Sequence, residues 1–183
     1  MVLTAPSGSG KTSIAHALLD RYAYLIFSIS ATTRPPRTGE VDGTDYHFLS
    51  HREFKSKIEE GAFIEWESFY NGQYYGTLHS EVDKQLNSGY FVLLDIDVKG
   101  ALNVKKLYGS EALTIFIQPP SLEVLKQRLA SRGTENEDTL ALRLKRAEME
   151  IKQANKFDHV VVNDTLHNAI EQVTSIVDRY ILS

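Results

Sequence analysis

Residues 4–13 read TAPSGSGKTS, a run of small side chains ending in Gly10-Lys11-Thr12. Small residues let successive backbone N–H groups turn inward around an anion, and a helix start directly after them adds its own unpaired N–H groups. A lysine at this place neutralises phosphate oxygens, and the Thr12 hydroxyl suits a Mg²⁺ ion that travels with them. The chemistry is therefore the holding of a nucleotide by its phosphates, with Ala5, Pro6, Ser7, Gly8, Ser9, Gly10, Lys11, Thr12 and Ser13 as the loop.

The usual pattern, G-x-x-x-x-G-K-[ST], opens on glycine, whereas this chain has Ala5 there. Pro6 follows, and clash with its ring confines the preceding residue to the β or polyproline region, where alanine is at ease and a glycine's freedom is unused. The loop is expected to work as it stands. A Gly/Ser-rich turn that merely starts a helix would show the same letters, and the elements around the loop separate the two readings. Val2 to Thr4 is a β-favouring run, and Ile14, Ala15, Leu18, Leu19 and Tyr22 recur at helical spacing.

A second constellation lies in residues 28–40, SISATTRPPRTGE, where a proline-stiffened segment carries Arg34 and Arg37. Fixed guanidinium forks suit a phosphate dianion, and a solvated basic loop would carry the same residues.

The elements that must position these groups alternate. YLIFSIS (24–30), YFVLLDID (90–97), ALTIFI (112–117) and HVVVN (159–163) read as strands, the second as a central strand covered on both faces. Residues 121–132, 138–156 and 165–182 have helical periodicity, and the whole points to an α/β protein with a parallel sheet flanked by helices. Residues 31–80 break the alternation. They hold DYHFL (45–49), a helix opened by the capping box Ser50-His51-Arg52-Glu53, then AFIEWESFY, a turn at Asn71-Gly72, and QYYG.

At 183 residues the chain fits one domain. A formal net charge of -4 gives no support to a nucleic-acid or membrane-surface binder. There are no cysteines, so disulfides and thiolate metal sites are excluded, and no apolar run reaches the roughly 18 residues of a membrane span. A cytoplasmic enzyme with small-molecule substrates is expected.

Taken in order, APSGSGKT, SATTRPPRTGEVDGTDYHF, FIEWESFYNGQYYGT, LLDIDVKGA, IFIQPPS, LKQRLASRGTE and VVND cover almost the whole chain, and together they resemble the guanylate kinases. The resemblance implies a P-loop NTPase core (1–30, 81–125 and 147–183), an inserted GMP-binding α+β subdomain (31–80) and a helical lid (about 126–146). It implies Mg²⁺-dependent transfer of a phosphoryl group from ATP to GMP or dGMP. It puts the GMP phosphate on Arg34, Arg37, Tyr46 and Tyr75, and the guanine on Ser30, Glu65, Thr77 and Asp97. Arg128, Arg132 and Arg143 match the lid and phosphate-clamping arginines, and Asn163 lies near the adenine side. The first strand is expected to be shorter than the family normally carries.

The chemistry agrees with those assignments. Guanine presents an O6 acceptor beside N1–H and N2–H₂ donors, so a selective pocket needs a donor and one or two carboxylates, which Ser30, Glu65 and Asp97 supply. A strand-edge carboxylate facing water and core-packed tyrosines are the plainer readings of Glu65 and of QYYG. Asp95, at the end of its apolar run, is placed like a carboxylate that holds Mg²⁺ through water, with Asp97 beside it. Lys11 and the lid arginines would align and neutralise the transferring group, with no protein general base and with closure on binding both substrates. A noncatalytic module of this fold, binding a phosphopeptide through the same arginines, would not need the intact Gly8, Gly10, Lys11 and Thr12 seen here. A P-loop kinase with another acceptor would not need Ser30, Glu65 and Asp97.

Overall fold

The computed structural model describes residues 1–68, 72–131 and 137–181. In chain order the elements are β1 (Val2–Thr4), α1 (Lys11–Arg21), β2 (Leu25–Phe27), β3 (Ala31–Thr32), β4 (His47–Phe48), α2 (His51–Glu59), β5 (Phe63–Ser68), β6 (Tyr74–Leu78), α3 (His79–Asn87), β7 (Phe91–Asp95), α4 (Val98–Tyr108), β8 (Thr114–Gln118), α5 (Leu122–Ala130), α6 (Glu137–Ile151), β9 (His159–Val162) and α7 (Leu166–Ile181). They divide into two compact units, Met1–Ala23 with Leu94–Ser183, and Tyr24–Leu93.

The first unit is built on β1, whose three residues are all buried. It pairs parallel with the end of β7 through Val2↔Leu94 and Leu3↔Asp95, and with β8 through Val2↔Thr114, Leu3↔Ile115 and Thr4↔Phe116. β9 continues the parallel ladder beyond β8. Leu3, Ile115, Phe116 and Ile117 are fully buried, the mark of strands covered on both faces. Helices supply that cover. α7 buries Ala169, Val173, Ile176 and Val177, a stripe at helical spacing, and packs on α1. The Tyr22 hydroxyl, just past α1, donates to Asp178 Oδ1 on α7 at 2.6 Å. With β7 on one side of β1 and β8 on the other, connections from β1 diverge, and ligands of open parallel sheets bind at the carboxyl end of the strand where they do so. The loop of residues 4–13 stands at that end of β1.

The second unit has its own sheet in the order β4-β3-β6-β5, with β3–β4 parallel and the other pairs antiparallel. Under it lies a core of Ala31, Phe54, Phe63 and Leu78, in which the rings of Phe54 and Phe63 stack 4.3 Å apart. α2 starts as expected. Ser50 Oγ accepts from Glu53 N and Glu53 Oε2 accepts from Ser50 N, the reciprocal pair of a capping box. In this unit β2 pairs parallel with Phe91–Leu93 of β7.

Several features differ from the sequence reading. Residues 24–30 are not one strand: β2 ends at Phe27 and β3 starts at Ala31, because the two pieces pair with different strands. α3 and α4 were not marked by their sequences, and the helix expected over 138–156 ends at Ile151 and gives way to a 3-10 turn at Ala154–Lys156. The compact unit that contains residues 31–80 is wider, taking in β2 and α3. Of the expected Asn71-Gly72 turn, Asn71 lies outside the described residues, and Gly72 has φ 75°. Among the described residues no helix is long and apolar enough to cross a membrane.

Candidate active site

The loop between β1 and α1 owes its shape to its glycines. Gly8 and Gly10 have φ 89° and 88°, a conformation side chains rarely adopt. A Cβ on Gly8 would come within 2.9 Å of Leu129 Cδ2, and one on Gly10 would collide with Asn163 Nδ2. Ala5 is buried, and among the described residues no non-glycine residue has positive φ, so its methyl sits unstrained, as Pro6 predicts. Gly10 caps α1 without a side chain, leaving first-turn N–H groups for a ligand.

Around this loop the first unit gathers charge. Lys11 forms an ion pair with Asp95 at the end of β7 and donates to Ile96 O at 3.2 Å. Thr12 and Ser13 are exposed on the first turn of α1. Asn163, 3% exposed, donates its side-chain amide to Ser9 O at 2.7 Å and supports the loop from within. Arg143 reaches Ser7 Oγ at 3.4 Å from α6, while Arg128 donates to the carbonyls of Asn163 and Asp164 at 3.0 and 3.3 Å. α6 is held against α5 by Leu125, Leu129 and Ala147. Arg132 lies outside the described residues. Asp97 caps α4, its Oδ1 accepting from Gly100 N at 2.8 Å, and its Oδ2 pairs with Arg146 at 3.3 Å.

The second unit brings together seven of the predicted residues: Ser30, Arg34, Arg37, Tyr46, Glu65, Tyr75 and Thr77. Arg34 is 8% exposed, lies 5.2 Å from the centre of the Tyr46 ring, and hydrogen-bonds Tyr75. The Tyr46 and Tyr75 rings meet edge to face at 6.1 Å. Burial first, and then the neighbouring Tyr75, pushes the Tyr46 phenol up, so its hydroxyl stays a donor. Arg37 is exposed. Glu65 and Thr77 face each other across the β5–β6 ladder, and the Thr77 hydroxyl donates to Glu65 Oε1 at 2.6 Å. Both are buried, Glu65 at 7% and Thr77 at 0% exposure, so Glu65 is not a solvated strand-edge carboxylate.

Comparisons with known proteins point to one family. A family model described as guanylate kinase matches residues 1–180. The chain is 51% identical over 183 residues to the guanylate kinase of Salinibacter ruber, covering 100% of this chain and 97% of that protein. It is 49% identical over 181 residues to the guanylate kinase of Chlorobium luteolum, covering 99% and 91% of the two. The chain belongs to the guanylate kinase family. The crystal structure of guanylate kinase from Anaplasma phagocytophilum matches 97% of this chain and 83% of its own, at 29% identity and a TM-score of 0.72. The family activity is ATP-dependent phosphorylation of GMP.

Two charged residues of this guanylate kinase were not picked out by its sequence. Arg146 bridges Asp97 and Glu150, the latter at 2.8 Å, and burial pushes the Glu150 carboxyl above its ordinary range despite that partner. The i, i+4 spacing of Arg146 and Glu150 was the available signal, but it reads as a surface pair. Glu40 binds Arg34 through both carboxylate oxygens, and no periodic pattern surrounds it.

Proposed function

We propose that this guanylate kinase holds the phosphates of ATP on the loop of its first unit and GMP on the pocket of its second. The buried Glu65–Thr77 pair carries the acceptor assignment. Glu65 accepts from guanine N1–H and N2–H₂, and Ser30 donates to O6, while adenine would set an acceptor against the carboxylate. Arg34, Arg37, Tyr46 and Tyr75 take the GMP phosphate. The family resemblance gives Asp97 a share in the guanine; it belongs to the first unit, where its helix cap and Arg146 hold its carboxylate. dGMP presents the same base and phosphate to these groups and is accepted too, and the products GDP and dGDP serve as precursors of GTP and dGTP.

The nucleophile is a phosphate oxygen of GMP, already largely ionised near pH 7 because the second phosphate pKa is about 6. No protein general base is needed. Lys11 stabilises charge on the transferring group and on the leaving oxygens, and Arg128, Arg132 and Arg143 add to it. Asn163 acts through the loop, fixing the Ser9 carbonyl so that the neighbouring N–H groups face the phosphates.

Mg²⁺ fits the residues present. Among the described residues no cluster of His, Asp or Glu forms a protein cage for a metal. Thr12 and Asp95 offer hard oxygen donors beside the phosphate loop, the sparse set expected for an ion that keeps its waters and rides on substrate phosphates. When bound there it neutralises and orients the phosphate oxygens.

Replacing Glu65 by Gln tests the reading, because the amide presents an N–H₂ where guanine needs an acceptor. kcat/KM for GMP is expected to fall by about 10²-fold or more, with the KM for ATP unchanged. Unaltered kcat/KM for GMP would remove Glu65 from the base site.

A further inference from the structure

The phosphate-binding arginines of the second unit are tied together by a residue to which no role has been given. Arg37 to Glu40 form a tight turn in which Glu40 N donates to Arg37 O at 3.1 Å and Gly39 has φ 90° at the third position. A type II turn requires a positive φ there, which is what glycine supplies. The turn folds the Glu40 carboxylate back over the segment that leads into it. Its Oε1 accepts from Arg34 Nη2 at 2.8 Å, and its Oε2 accepts from Arg34 Nη1 at 2.8 Å and from the Arg37 backbone N at 2.7 Å. Arg34 Nη1 also donates to Pro35 O at 2.8 Å.

A guanidinium carries five N–H bonds in a rigid plane. Glu40 takes one N–H from each of Nη1 and Nη2 and Pro35 takes the other from Nη1, so three of the five are held within this segment, and Tyr75 bonds the same guanidinium. The rings of Tyr46 and Phe48 lie 5.2 and 5.7 Å from the guanidinium carbon and fix the plane from its face. Hydrogen bonds from Arg34 and then from the Arg37 backbone hold the Glu40 carboxyl down to about 2. The pair is therefore ionised throughout the working pH range.

We propose that Glu40 is a positioning residue for the acceptor: its carboxylate clamps the Arg34 side chain and the Arg37 backbone at once, so that both arginines meet a single phosphate group. This rests on the assignment of the GMP phosphate to Arg34 and Arg37. Glu40 itself does not touch GMP. Its net effect is to reduce the rotamer freedom that Arg34 would otherwise lose on binding, and the lowered cost appears as affinity for the phosphate.

The experiment compares Glu40→Gln, Glu40→Asp and Arg34→Met with the unaltered enzyme by steady-state kinetics, and by calorimetric titration with GMP and with guanosine. Glu40→Gln is expected to raise the KM for GMP about 10- to 100-fold, with kcat at saturating GMP and the KM for ATP little changed. Glu40→Asp keeps the charge on a shorter arm and falls between. Guanosine has no phosphate, so its affinity should be the same in all four proteins. A Glu40→Gln enzyme whose KM for GMP is unchanged or lower, beside an Arg34→Met enzyme whose KM has risen, would overturn the positioning role; the lower value would mean that Glu40 competes with the phosphate. An Arg34→Met enzyme with an unchanged KM would instead overturn the assignment of the phosphate site.

Discussion

The Asn163 side-chain amide donates to the Ser9 carbonyl at 2.7 Å, joining two residues 154 positions apart in the chain. The bond sets the depth of the phosphate loop, since the same nitrogen stands where a Cβ on Gly10 would go. Asn163→Ala leaves a buried carbonyl without its donor, a loss of about 1–3 kcal/mol at the loop. The KM for ATP is expected to rise about tenfold or more, while calorimetric affinity for GMP stays the same. A loss shared equally by both substrates would mean that Asn163 supports the fold as a whole.

Lys11 pairs with Asp95 and donates to the Ile96 carbonyl. Lys11→Met removes the cation proposed to neutralise the transferring phosphoryl group and takes this partner from Asp95. Transfer should fall by about 10³-fold or more, measured as ADP release, with GMP binding still detectable by titration. Transfer within a few-fold of the unaltered enzyme would exclude Lys11 from the chemistry.

Ala5 occupies the position where most phosphate loops have glycine, and it does so without a positive φ. Ala5→Gly is expected to change kcat and the KM for ATP by less than about threefold, since the backbone freedom it adds is not used. A large gain would show the methyl to be an obstruction to the nucleotide.

Sequence and structure agree where a residue's role is local. The glycines of the loop, the capping box of α2, the alternating strands and the apolar stripe of α7 could all be read from neighbours a few positions away. α3 could not, because only Glu81 and Val82 of its nine residues are buried, and so the helix shows little apolar periodicity. α4 starts on Asp97, whose side chain caps it, directly after the apolar run of β7. β2 and β3 read as one strand in the sequence, because strand propensity gives no sign of a change of partner after Phe27. The residues proposed for the acceptor were legible as types through family resemblance, but the bonds among them were not. Glu40 is placed by a turn and Arg146 by the packing of α6 on α5, and neither leaves a period in the sequence.

The acid limb of the reaction should belong to the substrate. kcat/KM for GMP is expected to decline below about pH 6, where the GMP phosphate takes up its second proton. Glu40 adds no limb in that range. Its carboxyl is lowered from 4.5 to about 2, so its contribution is full above 4.5 and is lost only as the pH falls through about 2. A pH profile of the KM for GMP with a second step near 4.5 would show that the Arg34–Glu40 pair does not form in solution.

The most direct test of the account is acceptor selectivity, read as ADP release from ATP and Mg²⁺ with GMP, dGMP, AMP, CMP and UMP in parallel. GMP and dGMP should be turned over, and AMP should be slower by about 10⁴-fold, because it leaves the buried Glu65 carboxylate facing an acceptor. Equal rates with AMP and GMP would contradict the assignment of the Glu65–Thr77 pair to guanine.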